Sequence, residues 1–285
     1  METYKIAKLK LAKLPTQLVV LVVFIGFIYQ NTFLWLFERY ITVDSYYSHG
    51  FLVPFVTAIL IWLKRKELKA INYSGNNWGL VIVVFSLLAH LISYVLGVFF
   101  LSGFSMLCLV FGFSLFLYGR EITKKILFPL FFLIFMIPLP LEAISIISFP
   151  MKMFVTNSVV FIMKNFMAIP IRNEGFQVFF PNASLIIENP CSGLRSLIVI
   201  LALGSIFANA LKGRIYKKVL LFLFSFLIAI ISNMIRVFVL CLAVYIYGGQ
   251  IAEGFFHDLT GYLVFVFSFI VLWLIVRRFQ CKDQT

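Results

Sequence analysis

The sequence predicts an all-α polytopic membrane protein of about eight transmembrane helices, on three observations. Of 285 residues, 62% are hydrophobic and only 12% are charged, with a mean hydropathy of +1.05. Soluble domains are roughly half apolar and about a quarter charged. The apolar residues gather into runs close to the ~20 that a helix needs to cross a bilayer. The basic residues gather into clusters between those runs. A soluble globular enzyme and a disordered chain are both excluded, because so little polar surface cannot cover so much apolar chain. Lipid has to be most of the solvent.

The runs lie at 15–37, 50–63, 78–96, 98–118, 126–140, 191–210, 219–247 and 258–276. The first follows Lys5, Lys8, Lys10 and Lys13. That basic start resembles a signal peptide, yet no small-residue cleavage site precedes the next apolar run, so it reads as a retained anchor. The second and fifth runs are short, and the seventh is long enough to tilt. Between the fifth and sixth, residues 141–188 mix Lys152, Asn157, Lys164 and Asn165 with Ile, Phe and Met. This composition predicts an external amphipathic segment on the outer leaflet, ended by Pro170. Within it, Gly175–Glu188 has two β-prone runs around Pro181-Asn182-Ala183-Ser184 and predicts a short β-hairpin before Cys191. No internal repeat is visible, which disfavours an inverted-repeat transporter. The chain reads as one integral membrane domain over 1–285.

Charge placement sets the expected orientation. Lys64-Arg65-Lys66 with Lys69, Arg120 with Lys124-Lys125, Lys212 with Arg214, Lys217 and Lys218, and Arg277-Arg278 with Lys282 occupy alternate loops and the C-terminus. With the N-terminal lysines they make eighteen of the 24 Lys and Arg. Eight spans put all of them, and both termini, in the cytoplasm, as the positive-inside rule requires. Glu38, Asp44, Glu142, Glu174, Glu188, Glu253 and Asp258 fall on the outside. The net charge of +13 therefore expresses topology, and no nucleic acid partner is expected. Cys108, Cys191, Cys241 and Cys281 show no paired spacing, which argues against a zinc ribbon or a disulfide framework. No metal or organic cofactor is expected.

The residues suited to chemistry collect at the outer ends of the last three runs. In Asn189-Pro190-Cys191-Ser192-Gly193-Leu194-Arg195-Ser196, Asn189 suits an N-cap and Pro190 a first helical position. Cys191 is then expected in the first turn, where unbonded N–H groups and the helix dipole favour a thiolate. Arg195, four residues on, would share its face. The alternative for Cys191 is a small apolar filler. Arg236 lies deep in an apolar run, and a helix entering near Val219 climbs about 25 Å before reaching it. A charge at that depth marks a polar cavity and a function, or snorkels to the outer headgroups. Asn233, one turn earlier, is placed to orient it. His257 opens the last run, and a neutral imidazole is the ordinary partner of an activated thiol. Asp258 either orients it or caps the helix. His49, in Tyr46-Tyr47-Ser48-His49-Gly50, is external and a second polar lining group. His90 stands alone inside the third run and reads as a satisfied packing histidine, as Cys108 and Cys241 read as packing. Thiol, base and cation at one depth form the set that acyl transfer needs.

Four segments, taken in order, resemble the exosortase/archaeosortase family of polytopic membrane transpeptidases: Tyr-Ser-His-Gly-Phe-Leu-Val-Pro (47–54), Asn-Pro-Cys-Ser-Gly-Leu-Arg-Ser (189–196), Asn-Met-Ile-Arg-Val (233–237) and Phe-His-Asp-Leu-Thr-Gly (256–261). The resemblance implies a cysteine peptidase with Cys191 as nucleophile, His257 as acid/base and Arg236 as transition-state stabiliser. Arg195 would support them, and Arg195, His49 and Asn233 are the candidates for substrate binding. His49 matches the early signature without an assigned role. The implied substrates are exported proteins with a C-terminal Pro-Glu-Pro-like motif, a hydrophobic helix and a basic tail. An outer-face amine or lipid would accept them, at the outer side of a prokaryotic cytoplasmic membrane. Two other classes stay open. A transporter would carry ionisable groups near mid-membrane. A non-catalytic assembly factor of an envelope or exopolysaccharide pathway would not need Cys191. A protease that only hydrolyses differs from a transpeptidase in which acceptor reaches the thioester.

Overall fold

The computed structural model describes residues 20, 23–42, 45–72, 74–181, 183–187, 193–249 and 255–281, with side chains at these positions except 255–258 and 280–281. The chain divides into two compact units: Met1–Thr42 with Tyr47–Pro138, and Val43–Tyr46 with Leu139–Thr285.

In the first unit, helical residues 23–28 run into α1 (Gln30–Ile41), and Tyr29 and Phe33 keep the helical bonds to Ile25 and Tyr29 at 2.9 Å each. A 3-10 turn (Ser48–Phe51), α2 (Leu52–Leu63) and a short basic helix, α3 (Arg65–Lys69), follow. Then α4 (Trp78–Leu96) and α5 (Phe99–Lys125) form a hairpin. Gly97, at φ +69, donates its N–H to the carbonyls of Ser93 and Tyr94 and ends α4 in the left-handed geometry that glycine tolerates best. The two helices meet at small residues: a Cβ on Gly79 would lie 2.7 Å from the Gly112 carbonyl oxygen. Close backbone approach of this kind is how apolar helices associate in lipid, where burial of apolar surface gives no drive. Gly119 (φ 75) breaks α5 where the apolar run was expected to end, and the basic turn beyond it stands apart. The unit closes with α6 (Leu127–Phe132) and a 3-10 turn, Leu133–Met136.

His90 is satisfied, as expected of a packing histidine. Its Nε2 donates to the Ile28 carbonyl at 3.2 Å, so Nδ1 must accept, and it takes the Ser102 hydroxyl at 2.8 Å. Ser102 Oγ in turn accepts from Thr32 at 2.5 Å. Beside this chain, Tyr29 bonds Ser105 at 3.0 Å and lies over the His90 ring at 4.1 Å. One polar relay thus ties the first helix to α4 and α5. Each bond of this type is worth roughly 0.5–2 kcal/mol in a membrane. His90→Leu should therefore lower the unfolding temperature in detergent by several degrees, read by a thermal shift assay. An unchanged midpoint would mean that the relay contributes nothing.

The second unit contains α7 (Leu141–Phe166), strands β1 (Arg172–Glu174), β2 (Gln177–Phe179) and β3 (Ser184–Ile186), then α8 (Leu194–Ala210), α9 (Ile215–Tyr247) and α10 (Phe255–Cys281). Helix α9 is the hub, with α8, α10 and α7 packed on it. Gly204 of α8 leaves no room for a Cβ beside Ser225 Oγ, and Ser268 of α10 donates to Ser232 Oγ at 2.8 Å. The expected hairpin is present: β2 and β3 pair antiparallel with Val178 opposite Leu185. A third strand, β1, pairs with β2 on its other edge. Val178 and Leu185 pack into a core with Val155, Val159 and Met163 of α7 and Val237, Leu240 and Val244 of α9.

Two expectations need correcting. Residues 141–166 are not an amphipathic stretch set apart from the bundle but a helix long and apolar enough to cross a membrane, packed on α9. Two of the four polar groups that argued against this, Lys152 and Asn157, are used by the sheet and its first turn. Lys152 Nζ sits 4.3 Å from the centre of the Phe176 ring, and Asn173 donates to Asn157 Oδ1 at 2.9 Å. The predicted fifth run, in contrast, gives only α6 and a 3-10 turn. Among the described residues five helices are long and apolar enough to cross, namely α4, α5, α7, α9 and residues Leu259–Phe279 of α10. The shorter apolar helices are Ser48–Leu63, Leu127–Met136 and Leu194–Ala210. The molecule is a polytopic helical membrane protein, and the lengths of the described helices do not give eight spans; the start of the first predicted run, 15–19, lies outside the described residues.

Candidate functional site

Of the segments singled out in the sequence, the described parts of 189–196, 233–237 and 256–261 come together at α9. The start of α8 is set by Gly193, which adopts φ +82. A helix cannot run through a left-handed residue, and glycine takes that conformation without a Cβ penalty. Its carbonyl accepts the Leu197 N–H at 2.8 Å and the Ser196 hydroxyl at 2.9 Å, which closes the first turn. Helix α8 therefore begins at Leu194 and not at Pro190. The expected place of Cys191 in that first turn, on a face shared with Arg195, falls on residues outside the described ones. Asn189, Pro190, Cys191 and Ser192 themselves lie outside the described residues.

Asn233 and Arg236 occupy one side of α9, a turn apart. Asn233 is 1% exposed. Its amide lies directly on Gly193: a Cβ built there would stand 2.6 Å from Asn233 Cγ and Nδ2. Arg236 is half-buried with its Nε buried. Its guanidinium lies along α10, because a Cβ on Gly261 would be 3.7 Å from Nη2 and 3.8 Å from Cζ. Position 257 falls in the first turn of α10, four residues before Gly261, while the His257 side chain lies outside the described ones. Arg195, second residue of α8, is half-buried, and its Nε has no hydrogen-bond partner among the described residues. His49 belongs to the first unit, in the turn Ser48–Phe51, with both ring nitrogens buried and its ring stacked on Tyr47 at 5.8 Å.

The structure thus joins the cysteine segment to the arginine segment through Gly193 and Asn233, and the arginine segment to the histidine segment through Arg236 and Gly261. The sequence reading passed over both glycines. The available signal was a glycine in each motif just where two helices must touch. Alanine at 193 would need a strained backbone and would collide with Asn233. The combined effect should be well above 1 kcal/mol. In a thermal unfolding cycle, Gly193→Ala together with Asn233→Ala should be less destabilising than the sum of the two single changes. Strict additivity would deny the contact.

Helices, short sheet and clustered motifs together define a multi-pass membrane protein with a polar site where three helices of one bundle converge. A model of the transmembrane exosortase family matches residues 35–274, and the chain belongs to that family. Comparisons with curated proteins and with solved structures give no match.

Proposed function

We propose that the protein is a membrane cysteine transpeptidase that cleaves the C-terminal sorting signal of exported proteins and passes them to an acceptor outside the membrane. The observation that carries this reading is the pair of contacts, Gly193 on Asn233 and Gly261 beside Arg236, which bring parts of the three motif segments together near the middle of α9. Family membership agrees with it. In the proposed reaction His257 takes the Cys191 thiol proton, and the thiolate attacks the scissile carbonyl. Arg236, a planar donor with several N–H groups, stabilises the oxyanion, with Arg195 in support. His257 then gives its proton to the leaving amine as the C–N bond breaks. An amine attacks the resulting thioester and restores the thiol. Water in its place gives simple hydrolysis. Lipid exposure of the bundle suits a substrate whose own tail is a membrane helix.

The orientation follows from charge. Lys124-Lys125 and Lys212-Arg214 belong together in the cytoplasm under the positive-inside rule, so an even number of crossings separates them. Helices α7 and α8 supply two, with the short α6 re-entrant. The loop between α7 and α8, which carries the sheet and Cys191, then faces outward in a prokaryotic inner membrane. The site keeps its outer position even though α7 replaces the expected fifth run.

The test is intact-mass analysis of a secreted reporter that ends in a Pro-Glu-Pro-like motif, an apolar helix and a basic tail, co-expressed with the protein. A shortened reporter whose new C-terminus carries added mass supports transfer, and one without added mass supports hydrolysis. A full-length reporter with each of several motifs would remove the peptidase reading in favour of an assembly factor.

A further inference from the structure

In the first unit the basic segments on either side of α4 come together. Helix α5 is broken at Gly119, whose φ of 75 and ψ of −174 are not helical. A Cβ there would meet the carbonyl oxygen of Ser74, in the loop before α4, and Asn76 of the same loop donates its N–H to the Leu115 carbonyl at 3.3 Å. The loop that leaves α3 is thus laid on the break, where only glycine leaves it room. Beyond the break the turn 120–125 reaches α3. Lys64 Nζ donates to the Lys125 carbonyl at 2.7 Å, and Lys125 Nζ pairs with Glu67 at 3.4 Å. Lys64–Lys66 and Lys69 therefore share one patch with Arg120, Lys124 and Lys125, although 61 positions separate Lys64 from Lys125.

The carboxylates within 64–72 and 116–126 are Glu67 and Glu121, which meet Lys125 and Lys124 at 3.4 and 3.5 Å. Both pairs are more than half exposed, so water screens them and a net positive field remains. The positive-inside rule asks for basic loops but not for two of them to touch. Gathering like charges costs energy that an anion in the patch recovers.

The patch also has an apolar border. Phe55, Ile59 and Trp62 follow one another at i, i+4 and i+7 on one face of α2, and all are exposed, Trp62 by 57%. Thr57, on the opposite face, is buried and donates to the Pro129 carbonyl of α6 at 3.4 Å. Arg65 joins the charged and apolar surfaces. Its guanidinium lies 3.8 Å from the centre of the Trp62 ring, and its Nη1 donates to the Trp62 carbonyl at 3.1 Å. Tryptophan and a basic residue at the end of an apolar helix mark the headgroup level of a membrane. Charge and apolar face meeting at that level suit a molecule with an anionic head and hydrocarbon chains. Free phosphate supplies only the first half.

We propose that this patch binds an anionic phospholipid, with its phosphate between α3 and the turn 120–125 and an acyl chain along Phe55, Ile59 and Trp62. The headgroup bridges two segments that their like charge would separate, and so holds the broken end of α5 beside α3. The site uses none of the motif residues and does not depend on the transpeptidase reading.

The test is native mass spectrometry of the full-length protein in detergent, with phosphatidylglycerol or phosphatidylcholine of the same acyl chains added. Retention of phosphatidylglycerol about tenfold above phosphatidylcholine is the expected result. Lys66→Gln with Lys124→Gln, both at exposed positions, should remove most of that preference. Lys212→Gln with Arg214→Gln, the same loss of charge at exposed positions of the second unit, should leave it in place. Glu67→Gln removes the carboxylate that competes for Lys125 and should raise retention about threefold, a gain that misfolding does not produce. Excess glycerol 3-phosphate, a headgroup without chains, should leave the lipid bound. Equal retention of the two lipids, the same loss from both double variants, or no gain from Glu67→Gln would overturn the site. Full displacement by glycerol 3-phosphate would assign the patch to free anions and overturn the lipid.

Discussion

Replacing Cys191 with alanine should reduce reporter processing to the level seen without the protein, while abundance in the membrane and unfolding temperature stay near those of the wild type. The two readouts separate because the change removes a single sulfur atom. Even at a buried position a loss of that size costs about 1 kcal/mol or less. In the proposed reaction it removes the atom that forms the thioester, and loss of a nucleophile costs on the order of 10⁴-fold or more. Cys191→Ser should fail nearly as badly, since a hydroxyl without the thiol's acidity is a far weaker nucleophile beside the same base. Gel analysis of processed and unprocessed reporter is sufficient. Normal processing by the alanine variant would remove Cys191 from the mechanism and return it to the role of a packing residue.

Arg236→Lys should lower processing by about 10²-fold, the usual loss when one oxyanion donor is removed. The charge is kept, so a purely electrostatic role would leave most of the activity in place. What changes is shape: guanidinium is a flat fork, whereas ammonium is a compact point charge on a flexible stem. The fork lies along α10 with its Nη2 and Cζ 3.7 and 3.8 Å from where a Gly261 Cβ would be. Those distances predict a graded series. Gly261→Ala meets the guanidinium at ordinary contact distance and should keep activity within about threefold. Gly261→Leu needs the space that the guanidinium fills and should resemble Arg236→Lys. Initial rates from a reporter pulse-chase would separate the three variants. Equal activity of Gly261→Leu and wild type would show that Arg236 does not work from its position against α10.

Much of the fold was legible because lipid makes the pattern coarse. Apolar runs at 78–96, 98–118 and 219–247 became α4, the straight part of α5, and most of α9, since in hydrocarbon a backbone without water has to be helical. Gly119 breaks α5 at the expected boundary. The hairpin of β2 and β3 followed from two β-prone runs around Pro181-Asn182-Ala183-Ser184. The segment 141–166 was misread because Lys152 and Asn157 counted against a membrane helix. Nothing local to α7 reveals that Phe176 and Asn173, more than a dozen residues away, meet them.

The sequence alone determined the class of the protein, its charge asymmetry and which segments are candidates for its chemistry. These depend on composition and on motifs whose residues are neighbours along the chain. Only the tertiary structure decided how those segments touch. The start of α8 moved to Leu194 because Gly193 takes a left-handed conformation under the amide of Asn233, a residue forty positions away. The guanidinium of Arg236 rests against Gly261 in another helix, with room there for no more than a small side chain. A cavity beside Asn233 exists because α7 packs on α9 with Pro150 and Ile230 at its walls. Close approach is a property of two surfaces at once, and a single stretch of sequence specifies only one of them.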